Sequence, residues 1–421
     1  MDVEQMESVR PAFERLLGRF RGFFKREPTF GHFRTYLIGL LSDLQRKNVE
    51  AIALAADTAV RSLQEFLSQF RWDEQRLSAE LQRMVTEAHG DEAVIGVIDE
   101  SAHAKRGDKT PGVARQYCGE SGKIDNCVVG VHLLASNADA EQPCDVMLES
   151  DLYLPRSWDQ DAKARAEAGI PDHVVHQPKW LIAAEQVKRA IGNGVRFSWL
   201  TFDEAYGNVP QFWFTLDALG QRGIGEVPRT FHCWTRRPQY HSSQAPFRPS
   251  KAEDLVRRSR AFTQQEPQTL TIKDTTRGDC QWQIKRARVY LPDASVTPSV
   301  PTDRAYWLIR AMNLKTGEQK YFISNASAGV DLTEMMRAAF ARWRVEKWFE
   351  RAKQYVGFGD FEVRTYVALM RHWLCCRVAM YFLATQTSAL QKKREDHGGT
   401  DGPGRAMPAG ETAERLASLM A

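Results

Sequence analysis

The sequence predicts an α/β fold, in which a helical N-terminal domain precedes a mixed β-sheet core and a mostly β insertion interrupts that core. Three observations lead to this prediction. Apolar residues recur at three- and four-residue spacing through the first 90 residues, as in amphipathic helices. Two apolar runs of strand length end at Asp99 and at Asp203. Strand-like runs then fill much of residues 228–331 before helical spacing returns.

Residues 1–90 form the predicted helical domain. Its spacing is carried by Phe30, Phe33, Leu37, Leu40, Leu41 and Leu44, and again by Val60, Leu63, Phe66, Leu67 and Phe70. Residues 10–34 hold seven Lys or Arg and two Glu, a balance of 7 − 2 = +5. Because clustered cations neutralise phosphates, we expect this domain to bind DNA; the alternative is an ordinary solvated face.

Residues 91–227 are predicted to form the first part of the core. The strand-like runs are 93–99, 127–134, 146–154, 195–203 and 224–227, with helices over 181–191 and from Pro210. The order βββ-α-β-α-β is that of a ribonuclease H-like domain, in which the strands that carry the first two acids are neighbours. Ligands gather at the carboxyl ends of strands in such sheets, and both aspartates are expected there.

Residues 228–331 are predicted to be a separate, mostly β insertion domain. Strand-like runs lie at 270–273, 282–291, 306–313 and 319–323, and Lys315-Thr316-Gly317 has the composition of a hairpin turn. We expect these strands to pair with one another and not with the catalytic sheet.

The core is predicted to resume at residues 332–390. One helix over 332–355 contains Glu346, and a second helix over 366–387 packs on the core. On the first helix, Arg342, Glu346 and Lys353 are separated by four and seven residues, which places them on one face. Residues 391–421 include a Gly- and Pro-rich stretch and are predicted to be a flexible tail.

The composition is that of an ordinary globular protein, with 43% apolar residues, 26% charged residues and a net charge of +4. No run approaches the roughly 20 apolar residues of a membrane span, so no membrane partner is expected. Seven cysteines without a tight spacing framework indicate a reducing, cytoplasmic compartment. The sequence contains neither a Walker A loop nor a G-x-S-x-G nucleophile elbow.

Asp99, Asp203 and Glu346 are the candidate catalytic and metal-binding residues. Two strand-end aspartates and one helical glutamate can converge on a pair of Mg²⁺ ions, for which Mn²⁺ can substitute, because carboxylate oxygens are preferred ligands of such ions. A metal pair of this kind activates a water or a 3′-hydroxyl for attack on a phosphodiester. Glu350 is the alternative third ligand, and Glu100 is expected to point away from the site because side chains alternate along a strand.

Several longer motifs surround these acids. They are Ile98-Asp99-Glu100-Ser101, Lys105-Arg106-Gly107, 112–119, 122–127, Leu152-Tyr153-Leu154-Pro155, Ala168-Gly169-Ile170-Pro171 and Phe202-Asp203-Glu204-Ala205-Tyr206-Gly207. Over roughly residues 30–385, the chain resembles the bacterial insertion-sequence DDE transposases. One branch of that family has the helical signature Y-x2-R-x3-E-x6-K. Arg342, Glu346 and Lys353 match it, whereas Ala339 stands in place of the tyrosine.

The resemblance implies a transposase that binds the terminal inverted repeats of an insertion sequence, cleaves the DNA at the element ends and transfers the 3′-hydroxyl ends to target DNA. It implies double-stranded DNA as the partner, a homodimer in the synaptic complex, and association with the bacterial nucleoid. The phosphate contacts expected beside the active site are Arg342, Lys353, Lys105, Arg106, Arg115 and Lys123.

A second basic stretch covers residues 220–260, where nine Lys or Arg outnumber three acids, a balance of 9 − 3 = +6. Arg236 and Arg237 are expected phosphate contacts in this stretch, and Trp234 is a candidate for stacking on an unpaired base. Two other functions stay open on the sequence. One is a domesticated descendant that only binds DNA or scaffolds an assembly, and the other is a metal-dependent DNA nuclease without strand transfer.

Overall fold

The computed structural model describes residues 3–89, 92–137, 145–237, 248–274, 278–293 and 299–396. The helices are α1 (Val3–Phe20), α2 (Glu27–Leu41), α3 (Val49–Ala55), α4 (Val60–Ser68), α5 (Glu74–His89), α6 (Arg156–Asp159), α7 (Ala162–Glu167), α8 (Lys179–Gly192), α9 (Glu204–Gly207), α10 (Pro210–Ala218), α11 (Ala252–Arg258), α12 (Arg260–Thr263), α13 (Leu332–Phe340), α14 (Trp343–Val356) and α15 (Tyr366–Asp396). A 3₁₀ turn at Arg21–Phe23 follows α1.

The strands are β1 (Val94–Ala104), β2 (Ala114–Cys118), β3 (Lys123–Ser136), β4 (Asp145–Leu152), β5 (Phe197–Phe202), β6 (Gly223–Val227), β7 (His232–Cys233), β8 (Ser250–Lys251), β9 (Gln268–Asp274), β10 (Gly278–Val289), β11 (Pro292–Asp293), β12 (Val300–Pro301), β13 (Tyr306–Asn313) and β14 (Gln319–Ser324). Of the predicted tail, residues 391–396 continue α15, and the prediction for the rest lies outside the described residues.

The chain forms two compact units. The first comprises Met1–Ala93, Asp99–Arg196 and Arg344–Ala421, and the second comprises Val94–Ile98 and Phe197–Trp343. A unit boundary lies three residues after the one predicted near residue 90, whereas none lies at those predicted near residues 227 and 331.

The predicted N-terminal segment is helical, but it does not form a unit of its own. In the first unit, α1, α2, α4 and α5 all pack on α15, and α5 also packs on β4. Phe13 of α1 meets Phe382 of α15 with ring centroids 5.2 Å apart. The helical spacing is confirmed by the burial of Phe33, Leu37 and Leu40, which are all 0% exposed. DNA binding by this segment stays a prediction.

The strands of the first unit follow the predicted meander with one addition. β3 pairs antiparallel with β4 over Gly130–Ser136 and with the short extra strand β2 over Lys123–Cys127. The backbone N–H of Lys105, just past β1, donates to the carbonyl of Asn126 on β3 at 2.9 Å. The helix α8 packs on β3 and β4.

The second unit contains a sheet in the order β1-β5-β6-β14-β13-β10-β9. β1, β5 and β6 are parallel, and every later pair in this order is antiparallel. The prediction that 228–331 form a separate insertion is wrong, because Tyr321–Ser324 of β14 pair with Ile224–Val227 of β6. This pairing uses backbone groups that β6 would otherwise leave at an open sheet edge.

The predicted single helix over 332–355 is two helices. α13 ends at Phe340, Ala341 and Arg342 form a turn, and α14 begins at Trp343. α13 packs on β5, β6 and β9 of the second unit, whereas nearly all of α14 belongs to the first. Arg342 is thus outside the helix that carries Glu346, and the prediction that both share one helical face is wrong.

The helix α15 is the one described segment that is long and apolar enough, over Tyr366–Thr387, to cross a membrane. Its most apolar window is 83% buried inside the protein, as in the core helix of a folded domain. Arg371 and Arg377 lie within this segment and donate to the carbonyls of Phe70 and Met147 at 2.8 and 3.1 Å. These buried guanidinium groups tie α15 to the elements around it.

Arg344 holds the start of α14 on β4. Its Nε and Nη2 atoms donate to the two carboxylate oxygens of Asp145 at 2.7 and 2.8 Å, and Arg344 is only 9% exposed. A bidentate pair of this kind fixes orientation as well as distance.

We predict that Arg344→Ala lowers the free energy of unfolding by about 3 kcal/mol, because it leaves a largely buried carboxylate without its cation. Urea denaturation measures the change. Arg351→Ala, at an exposed position of the same helix, is the matched control and should stay within about 0.5 kcal/mol of the wild type. A loss below about 1 kcal/mol for Arg344→Ala, the range of exposed pairs, would contradict the anchoring role.

Candidate active site

Asp99 lies within β1, one residue past the pairing of that strand with β5. In the second unit the parallel pairing ends with Ile98 opposite Phe202. An aspartate follows each residue of this last pair: Asp99 comes after Ile98, and Asp203 comes after Phe202. Asp203 follows the last residue of its strand, as predicted. Asp99 does not end its strand, because β1 continues for five more residues next to β3.

Asp99 shares one face of β1 with Ser101 and His103, because side chains alternate along a strand. Glu100 lies on the opposite face, where its carboxylate contacts the ammonium group of Lys179 on α8. The expectation that Glu100 points away from Asp99 is therefore confirmed.

A buried polar chain continues along the Asp99 face of β1. Ser101 Oγ is hydrogen-bonded to His103 Nε2 at 2.9 Å and to His132 Nε2 at 2.8 Å, and His132 Nδ1 is bonded to Ser150 Oγ at 2.9 Å. Burial lowers the pKa of His132 to about 3, and burial with nearby Lys353 also lowers the pKa of His103. Both rings are therefore neutral, and the chain links β1, β3 and β4 without adding charge.

Three contacts set the course of α14 within the first unit. Arg344 holds the start of the helix on β4. Further along, the ring of Phe349 meets that of His132 with centroids 5.1 Å apart. Near the end, Lys353 Nζ lies 3.4 Å from the carbonyl oxygen of Ala102 on β1. The helix therefore runs along the face of the strands that carries the polar chain.

Glu346 lies in the first turn of α14. It lies about one turn before Phe349, whose partner His132 is bonded to Ser101, two residues after Asp99. Glu346 is exposed, so its carboxylate is accessible to solvent.

Asp203 forms the N-cap of α9 directly after β5. Its Oδ1 atom accepts a hydrogen bond from the backbone N–H of Ala205 at 3.0 Å. Burial raises the pKa of Asp203 above its ordinary value, while the charge of Arg342 and the backbone hydrogen bonds oppose that rise. Arg342 thus supplies positive charge to this carboxylate instead of sharing a helical face with Glu346.

α13 leads to Arg342 because it packs along β5. Trp199 Nε1 donates to Glu334 at 2.8 Å, and Thr201 Oγ1 donates to the carbonyl of Ala339 at 3.5 Å. Ala339, the position of the missing tyrosine, is 5% exposed and lies against the strand. A small residue suits this close packing of helix on strand.

Gly207 allows α9 to lie against β6. A Cβ atom at this position would be 2.0 Å from the carbonyl oxygen of Glu226, a distance that no side chain tolerates. The carbonyl of Gly207 also accepts a hydrogen bond from Trp213 Nε1 at 2.8 Å. The motif Phe202 to Gly207 therefore combines a candidate ligand, a helix cap and a close backbone contact.

The candidate ligands suit a hard divalent cation. Asp99, Asp203 and Glu346 offer only carboxylate oxygens, which Mg²⁺ and Mn²⁺ prefer. Among the described residues, no group of three or more His, Cys, Asp or Glu side chains is close enough together to hold a metal ion. The rival ligand Glu350 is exposed and accepts from Lys347 Nζ at 2.7 Å. The ligand set stays a prediction.

Most of the predicted phosphate contacts are exposed. The exposed residues are Arg106, Arg115, Lys123, Arg236 and Arg237. Arg237 also pairs with Asp303 at 2.5 Å. Lys353 is half-buried, with Nζ 3.8 Å from Glu120 Oε1. Their binding to DNA stays a prediction.

Lys105 and Trp234 are not exposed to solvent in the way that their predicted contacts with DNA require. Lys105 Nζ donates to the carbonyls of Gly359 and Phe361 at 2.9 and 2.7 Å and lies 3.6 Å from the centre of the Phe361 ring, and burial lowers its pKa to about 8. Trp234 is 1% exposed and its backbone is bridged to Tyr290. An ammonium group held by carbonyls and a buried indole cannot contact DNA in this conformation, so both predictions are corrected.

Arg344 and His132 are the residues that sequence reasoning missed. A signal for Arg344 was present, because it precedes the buried residues Trp348 and Ala352 at four-residue spacing and so occupies an apolar stripe. For His132, the sequence offers only a lone histidine in an apolar strand.

Comparisons with known proteins found one matching family, a similar transposase sequence and a similar solved structure. The sequence model of a family described as DDE superfamily endonuclease matches residues 19–291, which is 273 of 421 residues and includes both aspartates. A protein of Microchaete diplosiphon, described as a probable transposase for insertion sequence element IS701, is 28% identical over 279 residues, covering 65% of this chain and 67% of its own. The cryo-EM structure of the piggyBac transposase synaptic complex with hairpin DNA aligns over 96% of this chain and 78% of that chain, with 11% identity and a TM-score of 0.40.

We predict that Asp203→Asn raises the melting temperature at pH 7 in the absence of divalent cations. The raised pKa of Asp203 means that its ionised form destabilises the folded state. This penalty is absent below the unfolded-state pKa and grows as pH rises through the folded-state pKa, so the gain should vanish in acid. Thermal unfolding in EDTA across a pH series measures it. Glu204→Gln, at the exposed next residue, should change nothing; an Asp203→Asn variant less stable than the wild type at pH 7 would contradict the account.

Proposed function

The chain belongs to the DDE superfamily of endonucleases, and from this we propose that it is an insertion-sequence transposase. It binds the terminal inverted repeats of its element, cleaves the DNA at the element ends and transfers the 3′-hydroxyl ends to target DNA. The similarity to a probable insertion-sequence transposase supports this proposal. Joining two ends in one reaction requires two active sites, so the protein acts as a homodimer on double-stranded DNA.

The observation that carries the proposal is the end of the parallel pairing between β1 and β5. Ile98 and Phe202 form the last pair, and each is followed by an aspartate. Carboxyl ends of parallel neighbours are where ligands collect in mixed sheets. Glu346, exposed in the first turn of α14, is the third carboxylate of the proposal.

We propose that Asp99, Asp203 and Glu346 together hold two divalent cations. Bound Mg²⁺ or Mn²⁺ would polarise the scissile phosphodiester and lower the pKa of the attacking water or 3′-hydroxyl. The partial burial of Asp203 favours a cation, since a desolvated carboxylate gains more from a nearby positive charge than a solvated one. The charge of Arg342 opposes the rise in the pKa of this carboxylate and so favours its ionised, metal-binding form.

The exposed cations mark the path of the DNA. Arg106, Arg115 and Lys123 follow β1 in the chain and would hold phosphates next to the cleaved bond. Arg236 and Arg237 contribute to a second phosphate contact. Lys353 lies two turns after Glu346 and combines a structural contact to Ala102 with positive charge near the third carboxylate.

We predict that Asp99→Asn, Asp203→Asn and Glu346→Gln each reduce cleavage at least about a hundredfold, because each removes a ligand needed in the transition state. The assay is Mg²⁺-dependent nicking of a supercoiled plasmid that carries the DNA flanking this gene. DNA affinity in EDTA should change only a few fold, since affinity rests on the basic residues. Glu350→Gln is the matched control on the same helix and should remain active.

Strand transfer separates the remaining possibilities. A transposase joins a pre-cleaved 3′-hydroxyl end to a second plasmid, whereas a simple nuclease nicks without joining. A protein that only binds DNA or scaffolds an assembly does neither. Near-wild-type nicking by any one of the three variants would remove that residue from the proposed ligand set.

A further inference from the structure

The hairpin formed by β2 and β3 presents an exposed apolar pair. Tyr117 and Ile124 are directly opposite each other in the β2–β3 register and are 66% and 64% exposed. Of the large apolar side chains that the structure describes, only Leu54 is as exposed, at 67%. Removing this apolar surface from water on binding would be favourable, so an exposed apolar pair of this kind indicates a binding surface.

The hairpin holds this pair firmly. On its other face, Cys118 and Cys127 are fully buried and form a core cluster with Val129. The turn is closed by hydrogen bonds from the N–H groups of Ser121 and Gly122 to the carbonyl of Cys118, at 3.2 and 2.9 Å, with Gly122 at a φ of +66°. Tyr117 and Ile124 are therefore displayed by a rigid element.

Glu120, in the turn, ties the hairpin to β1 and to the helix that carries Glu346. Its Oε2 atom accepts from the backbone N–H of Ala104 at 3.0 Å, and its Oε1 atom lies 3.8 Å from Lys353 Nζ. Lys353 is two turns after Glu346 on α14. The hairpin that carries the exposed pair is thus linked to the helix that carries one of the proposed catalytic carboxylates.

The charge around the pair suits a polyanion. Arg115 precedes Tyr117 by two residues and so shares its face of β2, and its side chain is exposed. Lys123 is also exposed, but it lies opposite Cys118 on the other face of the hairpin, 4.0 Å from Asp125. An aromatic and a branched aliphatic side chain next to an exposed arginine fit unpaired bases with their phosphates.

We propose that Tyr117 and Ile124 form a wedge that packs against unpaired or unstacked bases at the DNA end, while Arg115 holds an adjoining phosphate. The wedge rests on the proposed function, because it assumes that the protein opens or receives a DNA end beside Asp99 and Glu346. It adds base stacking, which is independent of sequence, to the phosphate contacts.

The test compares two DNA probes in EDTA: a short blunt duplex and the same duplex with an unpaired tail at one end. Fluorescence anisotropy measures both affinities. Tyr117→Ala should weaken binding to the tailed duplex about tenfold and leave the blunt duplex unchanged, and Ile124→Ala should act in the same direction with a smaller loss. Tyr117→Phe should retain the preference, because the ring remains. Leu54→Ala, equally exposed on α3, is the matched control and should change neither affinity.

Arg115→Ala and Lys123→Ala should instead weaken both probes together and reduce the salt dependence of binding. Unchanged preference for the tailed duplex in Tyr117→Ala would overturn the wedge. The wedge would also be overturned if Tyr117→Ala formed a smaller oligomer than the wild type in sedimentation while its DNA affinity was unchanged. In that case the pair would contact a second copy of the chain. If the wild-type protein binds both probes equally well, the wedge is contradicted and the proposed function is not. If the wild-type protein binds neither probe, the proposed function is contradicted as well.

Discussion

The parallel pairing of Val94–Ile98 with β5 is the constraint on which the rest of the proposed site depends. Both strands are almost entirely buried, so both of their faces must be covered by other elements. A charged side chain is costly in a strand that is buried on both faces, so neither strand contains one over the paired residues. The first charged residue comes directly after the last pair, as Asp99 in one strand and Asp203 after the other. Within the second unit, α13 supports this pair, because it packs along β5 and leads to Arg342.

Buried polar groups fix the elements that carry the proposed carboxylates. These groups are either neutral or ion-paired with a group of opposite charge. The chain from His103 through Ser101 and His132 to Ser150 consists of neutral groups, and the guanidinium of Arg344 is matched by Asp145. Such groups are costly to bury unless their hydrogen bonds are made, but they fix direction more closely than apolar contacts do. The proposed site would need this rigidity to hold two cations at defined positions, because small displacements of metal ligands weaken catalysis.

The sequence was sufficient for most of the strands and helices, and it failed where contacts with other parts of the chain determine the structure. Alternating and continuous apolar runs predict strands, and a motif such as Phe202 to Gly207 marks its aspartate directly. The apolar pattern of a strand does not indicate which strand it pairs with, so the pairing of β14 with β6 could not be predicted. No glycine or proline marks the break at Ala341, which arises because α13 and α14 pack in different units. Lys105 and Trp234 were assigned by residue type, yet carbonyl acceptors and core packing determine where they lie.

Metal-directed cleavage of the polypeptide tests most directly whether Asp99, Asp203 and Glu346 share one metal site. Fe²⁺ replaces Mg²⁺ in the protein, and ascorbate with peroxide generates hydroxyl radicals that cut the backbone close to the bound iron. Mass spectrometry of the fragments locates the cuts. The account predicts three sets of cuts, within a few residues of Asp99, Asp203 and Glu346, all suppressed together by excess Mg²⁺. Cuts that omit one of these three positions, or that Mg²⁺ does not suppress, would contradict it.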